Sequence, residues 1–181
     1  KAWVRYSNSA SATEPDIICW QEVYTMSAED TRQFVTAALP LPVGEQWYAA
    51  KVSDGVTIAR WPISQAAASD GNLVCKVNLP DALTASDFVI FNAHTPCCQN
   101  NNGREAEHDR MASIWRNMLA GVGVFPIDPV RDAALFCGDF NMVGYRRQIT
   151  SLRDGDIFNN GTFGADFSPG RANGSLVSVA E

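Results

Sequence analysis

The chain has 181 residues, of which 46% are hydrophobic, and a formal net charge of -6. That length supports one sizeable hydrophobic core and crowds two. The acidic balance excludes a global basic field able to grip a nucleic-acid backbone, and no apolar stretch reaches the ~18 residues of a membrane span.

The opening KAWVRYSNSA has neither an initiator Met nor the apolar core of a signal peptide, so both ends are expected to be cut from a longer chain. Within the polar segment Lys1 to Thr13, Trp3, Val4 and Tyr6 are spaced like the end of a helix. Glu14-Pro15-Asp16 breaks the chain, and the apolar run Ile17 to Trp20 predicts a strand buried on both faces. Glu22 follows as a carboxylate just past that strand. Ser27-Ala28-Glu29-Asp30 resembles a capping box, and Phe34, Val35, Ala38 and Leu39 continue at helical spacing until Pro40 and Pro42. Trp47 to Val52 and Gly55 to Ala59 predict two strands joined at Ser53-Asp54-Gly55, because Asp-Gly accommodates positive φ. Pro62 keeps Arg60 to Ile63 out of a central strand.

Asn72 to Asn78 and Phe88 to Ala93 are further predicted strands, separated by the turn-rich Leu79 to Asp87. The second delivers His94, and Thr95-Pro96 ends it. After the polar loop Gln99 to Gly103, a helix from Arg104 to about Ala120 carries Met111, Ile114, Trp115, Met118 and Leu119 on one core-facing stripe. Glu105, Glu107, His108 and Asp109 in its first turns suit the helix dipole and read as a solvated face, not a metal site.

Pro126 and Pro129 frame the loop into Ala133 to Asn141, AALFCGDFN, where a buried strand is expected to run into a tight bend at Gly138. If the chain stays extended, alternation puts Asp139 and Asn141 on one face and Phe140 into the core. An ionised carboxylate there needs a cation, hydrogen bonds or water to offset its burial. The structural alternative is an Asx-type turn in which Asp139 caps backbone amides. Tyr145 to Leu152 predicts a short helix whose Arg146 and Arg147 face water or a phosphate near Asp139. Beyond Arg153 the Gly-, Asp-, Asn- and Ser-rich tail offers only Leu176 to Val179 as a strand.

The five cysteines, Cys19, Cys75, Cys97, Cys98 and Cys137, include no C-x-x-C spacing, which disfavours a structural metal. Cys19 and Cys137 lie in apolar runs and read as small buried hydrophobes. The adjacent Cys97 and Cys98 are open to three readings: a vicinal disulfide, a bridge outward to Cys75, or two free thiols. Cysteine density leans toward an oxidising, extracytoplasmic compartment.

Glu22, His94, Asp139 and Asn141 all stand at the ends of apolar strands. Strand ends of packed sheets converge on a common rim, where loops carry function. Gathered there, these groups suit phosphoryl transfer to water. Glu22 would supply a carboxylate oxygen to Mg2+ or Mn2+, with waters and substrate phosphate completing the shell. Asp139 would orient or deprotonate the attacking water, Asn141 would fix that water or a phosphate oxygen, and His94 would donate a hydrogen bond or a proton to the phosphate. No G-x-S-x-G elbow, G-x-x-x-x-G-K-[ST] loop or H-E-x-x-H helix offers a competing chemistry.

The segments PDIICWQEV, DGVTIARWPI, FVIFNAH and LFCGDFN, in this order, resemble the endonuclease/exonuclease/phosphatase superfamily over about residues 14 to 152. The resemblance implies an α+β fold, a four-layer sandwich of two mixed β-sheets packed face to face with helices outside, and metal-dependent cleavage of phosphoester bonds. Glu22 matches the family's metal-binding glutamate, Asp139 and Asn141 its Asp-x-Asn pair, and His94 the histidine set against the scissile phosphate. The family also opens with a strand ending in a metal-site Asn and closes with a strand carrying Asp-His. Here His94 and His108 both precede Asp139, and Asn8 lies too near Glu22 to stand for the opening Asn. The expectation is therefore a single domain of this type over residues 1–181, truncated at both ends or degenerate. Its parent would be a metal-dependent phosphoester hydrolase, a diesterase ahead of a monoesterase. A catalytically inactive sandwich kept for binding is the alternative. Nucleic acid, phospholipid and small phosphoesters all stand as substrate classes, and a monomer is expected.

Overall fold

Strand alternation sorts the apolar residues of this chain into three separate packing layers. The computed structural model describes residues 15–142 and 146–170. The expectations placed on Trp3 to Tyr6, Asn8, Tyr145 and Leu176 to Val179 lie outside the described residues.

The described elements are β1 (Ile17–Trp20), α1 (Ala28–Ala38), β2 (Tyr48–Val52), β3 (Gly55–Ala59), β4 (Ile63–Ser69), β5 (Asn72–Val77), β6 (Phe88–His94), α2 (Asn101–Leu119), β7 (Ala133–Asp139), α3 (Arg146–Asp154) and α4 (Asn160–Phe163). They build two sheets, β1-β3-β2 and β4-β5-β6-β7. The smaller is antiparallel throughout, and the larger is mixed because β6 and β7 run parallel. A parallel pair requires a long crossover, and α2 supplies it.

In β1, Ile18 and Trp20 join Val56, Ile58, Val35 and Phe34 in a layer between the small sheet and α1. Their neighbours Ile17 and Cys19 turn the other way, meeting Leu73, Cys75, Val77, Ile90 and Cys137 between the two sheets. On the larger sheet, Val74, Val89, Phe91 and Ala93 point outward onto Met111, Trp115 and Met118 of α2. The order helix, sheet, sheet, helix is the expected α+β sandwich. The capping box at α1 is also in place, with Ser27 Oγ accepting from the Asp30 amide at 3.0 Å and the Asp30 carboxylate accepting from the Ser27 amide at 3.0 Å.

Four features differ from, or are not foreseen in, the reading of the sequence. First, β1 is not buried on both faces: Ile17 and Cys19 are only half-buried, and β1 lies at the edge of its sheet among the described residues. Second, the AALFCGD strand lies at the edge of the larger sheet among the described residues, leaving Leu135 44% exposed. Third, β4 forms from Ile-Ser-Gln-Ala-Ala-Ala-Ser, a segment with no strand pattern of its own. It pairs with β5 across a reversal at Asp70 and Gly71, both with positive φ.

Fourth, the first turns of α2 are not a solvated face. Arg104, Glu105, His108 and Asp109 are all buried, covered by α3 and the segment after it. Asp109 accepts from the backbone amides of Phe158 and Asn159 at 3.1 and 2.8 Å, Glu105 pairs with Arg147 at 3.2 Å, and His108 Nδ1 meets the Gln148 carbonyl at 3.1 Å. Buried polar groups require such partners.

Candidate active site

Antiparallel pairing of β1 with β3 brings the end of one strand to the start of the other, so Glu22 and Asp54 share one end of the small sheet. Parallel pairing of β6 with β7 ends both strands together, with His94 directly opposite Asp139 in the register. Asp139 has the same parity as Cys137, and His94 the same as Ile90, so both occupy the face turned toward the small sheet. Asn92, fully buried on that face, ties the sheets together. Its amide donates to the carbonyls of Trp20 at 3.3 Å and Val56 at 3.0 Å, and its oxygen accepts from Gln21 Nε2 at 2.6 Å.

Glu22 adopts φ +62, a left-handed turn that lifts its side chain out of the strand. The turn is held from both sides: the Val23 amide donates to the Asp54 carbonyl at 2.9 Å, and Lys51 Nζ donates to the carbonyls of Val23 and Met26 at 2.6 and 2.5 Å. The Glu22 side chain is 68% exposed, with Oε1 at 3.9 Å from His94 Nε2.

His94 is held by both its side chain and its backbone. Its Nδ1 lies 2.6 Å from Asp54 Oδ2. The backbone amide donates to Asn72 Oδ1 at 2.7 Å, and Asn72 Nδ2 in turn donates to the Glu107 carboxylate at 2.8 Å. Burial pushes the Asp54 carboxyl up, but the hydrogen bond with His94 and the amides of Asp54 and Glu22 outweigh it and leave the pKa below the ordinary value. An ionised carboxylate only accepts, so His94 Nδ1 carries the hydrogen and Nε2 is the atom turned toward Glu22. Glu107 has its carboxyl raised by burial, against the hydrogen bond from Asn72.

Asp139 ends β7 and is exposed, but its Oδ1 accepts from the Asn141 amide at 2.9 Å. Asn141 has φ +46, so the chain turns after Asp139 and does not stay extended. The Asx-turn alternative describes the local geometry. The second Asp139 oxygen remains available at the rim, whereas Asn141 Nδ2 is engaged with the Thr95 carbonyl at 2.8 Å. Phe140 packs into the α2 layer, edge-on to His108 at 5.5 Å between ring centroids. The expected bend at Gly138 is not there, since β7 continues through it to Asp139, but glycine is still required: at φ +124, an added Cβ would lie 2.1 Å from the Ala93 carbonyl oxygen.

The structure thus brings Glu22, His94 and Asp139 to one rim and ties Asn141 to its edge. Among the described residues no three Asp, Glu, His or Cys side chains gather closely enough to enclose a metal ion. A hard ion such as Mg2+ is commonly held through one or two carboxylates with water and phosphate completing the shell. The solvent-facing oxygens of Glu22 fit that mode. Two cavities, of about 580 and 390 Å3, lie at the other end of the small sheet around Arg60. Arg60, which lines both, is bridged to Asp16 at 3.0 Å and Glu45 at 2.8 Å.

Asp54, Asn72 and Glu107 escape sequence reading. Asp54 stands in an Asp-Gly pair that reads only as a turn, and Asn72 and Glu107 reach His94 only through strand pairing and helix docking.

No family model matches the chain, and no curated protein matches it. Solved structures do. A truncated TDP2 of Caenorhabditis elegans aligns with a TM-score of 0.56 at 14% identity, over 83% of this chain and 58% of that one. A humanized D. rerio TDP2 carrying 14 mutations aligns with a TM-score of 0.51 at 12% identity, over 82% of this chain and 61% of the other. An endonuclease/exonuclease/phosphatase family protein from Leptotrichia buccalis C-1013-b aligns with a TM-score of 0.52 at 13% identity, over 81% and 64%. The fold is that of the endonuclease/exonuclease/phosphatase family. At these identities the likeness is one of fold, and the chain spans less than two thirds of each of those structures. In that fold the rim of Glu22, His94 and Asp139 is made where the two sheets open at one end.

Proposed function

We propose that the chain is the core of a metal-dependent phosphoester hydrolase of the endonuclease/exonuclease/phosphatase superfamily, a diesterase ahead of a monoesterase. The observation that carries this reading is His94. Its Nδ1 is 2.6 Å from an ionised Asp54, and its Nε2 faces the free carboxylate of Glu22 at 3.9 Å. A histidine whose Nδ1–H is held by a carboxylate donates its Nε2–H to an anion at the open rim when the ring carries both hydrogens.

Glu22 would hold Mg2+ or Mn2+. When bound, the ion supplies charge that offsets the growing negative charge on the phosphoryl oxygens. Asp139 accepts the proton of the attacking water through the oxygen not committed to the Asn141 amide. Water oxygen bonds to phosphorus, the ester P–O bond breaks, and His94 supplies the proton or hydrogen bond that the departing oxygen or the phosphate needs. Asn141 holds the Asp139 loop through Thr95 and leaves its side-chain oxygen for the water. A positioned acid or base of this kind contributes about 10^2- to 10^4-fold in rate.

Hydrolysis of bis(p-nitrophenyl) phosphate with Mg2+, and with chelator in its place, tests the reading. Glu22→Ala and Asp139→Ala are each expected to abolish turnover with the circular dichroism spectrum unchanged. Undiminished turnover in either variant overturns the assignment. Calorimetric titration with Mg2+ separates the enzyme from a sandwich retained for binding: heat that disappears in Glu22→Ala supports the former, and its absence in the parent protein supports the latter.

A further inference from the structure

The loop that leaves the rim after His94 carries two adjacent cysteines that the hydrolytic chemistry does not use. Cys97 and Cys98 are both exposed, and their sulfurs lie 2.6 Å apart. Adjacency alone does not produce this. Consecutive Cα atoms are about 3.8 Å apart across a trans peptide, below the ~4.4 Å at which disulfides usually begin, so neighbouring cysteines converge only when the backbone turns. Cys98 makes that turn, with φ +63.

Arg104 fixes it in place. This side chain is fully buried, and its guanidinium donates to the carbonyl of Pro96 at 2.5 Å, to that of Cys98 at 3.1 Å, and to Asn101 Oδ1. Both ends of the dithiol are therefore anchored before any bond forms, and a pre-organised pair loses little freedom on closing.

The other three cysteines are placed elsewhere. Cys19 engages Cys137 and Thr57 between the sheets, and Cys75 is fully buried in the same layer, its thiol pushed up to about 12 by burial. The outward bridge to Cys75 that the sequence left open has no geometric support.

We infer that Cys97 and Cys98 form a vicinal dithiol that closes to a disulfide with a small disulfide oxidant, locking the loop three residues beyond His94. The thiolate of one cysteine attacks the oxidant's disulfide and expels one thiol. The second cysteine then attacks the mixed disulfide and expels the other. Two thiols on the protein are oxidised, the oxidant is reduced to two thiols, and the protein loses two hydrogens. Exposure leaves the site open in both directions, so an added dithiol reductant restores it.

The test is mass spectrometry of the folded protein after treatment with oxidised glutathione, followed by denaturation and alkylation. Reduced protein takes up five alkyl groups, and oxidised protein is expected to take up three. Trypsin releases Val77 to Arg104, which contains Cys97 and Cys98 and no other cysteine, so the loss of two hydrogens must fall in that peptide. Cys97→Ser is expected to abolish this loss and leave Cys98 as a glutathione adduct. A wild-type peptide that is doubly alkylated, that retains glutathione, or that is linked to the peptide carrying Cys75 overturns the inference. None of these readouts depends on phosphoester hydrolysis, so failure of the enzymatic reading leaves the test intact.

Discussion

Gln21 donates its side-chain amide to Asn92 at 2.6 Å, joining the residue before Glu22 to the strand that ends at His94. The bond crosses from one sheet to the other, and Asn92 also donates to the carbonyls of Trp20 and Val56. The distance between the carboxylate and the imidazole is thus set from inside the sandwich. Asn92→Leu leaves Gln21 and two buried carbonyls without this partner. The expected cost is about 1–3 kcal/mol, the scale of losing one buried hydrogen-bond partner. Urea unfolding should show a lower midpoint, and turnover of the still-folded fraction should fall. An unchanged midpoint would remove Asn92 from the role of inter-sheet tie.

Asp54 accepts the Nδ1–H of His94 and so fixes the ring with Nε2 toward the rim, and its removal should cost rate without costing the fold. Asp54→Asn keeps the shape but removes the carboxylate that accepts the Nδ1–H of the doubly protonated ring, the form that can pass a proton from Nε2. Loss of such a supporting partner typically costs about 10–100-fold in activity. The expected result is a fall of that size in kcat with KM little changed. His94→Ala should cost more, about 10^2- to 10^4-fold. Equal kcat for Asp54→Asn and the parent protein would argue that His94 is oriented by its backbone contacts alone.

Much of this arrangement is legible in the sequence. Apolar runs mark β1, β3, β5, β6 and β7, helical periodicity marks α1 and α2, and β1, β6 and β7 each lead to a polar group of the rim. The groups behind the rim are less visible. Asp54 looks like any turn residue, and its distance from His94 depends on how two sheets face each other. Strand β4 has alanines where a strand usually carries branched residues, so its conformation comes from pairing with β5 and not from propensity. The polar start of α2 is misread for a related reason: helical periodicity shows which residues share a face, but not that the chain after residue 146 returns to cover it.

Gly138 lies inside β7, next to Asp139 and opposite Ala93. Gly138→Ala must accept both an unfavourable positive φ and a contact of 2.1 Å with the Ala93 carbonyl oxygen. Backbone strain and overpacking together predict a loss of about 2–4 kcal/mol. The Thr95 amide donates to the Asp139 carbonyl at 3.0 Å in the same stretch, so the damage should spread to the rim. Hydrogen exchange would register it as faster exchange at Thr95 and Asn141. A variant with parental stability and parental exchange would show that β7 can move away from β6 without cost.

His108 makes the fold sensitive to acid. Burial is the main cause of its lowered pKa, pushed down to about 4, with the Gln148 carbonyl contact and Asp109 acting in the opposite direction. At neutral pH the ring is uncharged, its Nδ1–H donates to the Gln148 carbonyl at 3.1 Å, and Nε2 is buried without a hydrogen-bond partner among the described residues. An unfolded histidine takes up a proton near pH ~6.5, well before the folded one does. The folded state therefore binds fewer protons between about pH 6.5 and about 4, and stability falls as pH drops through that window. The full effect is about 3 kcal/mol, the free-energy equivalent of the shift. His108→Asn retains a donor for Gln148 but cannot titrate. Unfolding midpoints measured at pH 7, 5.5 and 4 should decline less steeply in this variant than in the parent protein. Parallel declines would place the acid sensitivity in the carboxylates, with Asp54 and Asp132, both below their ordinary values, as the groups to examine next.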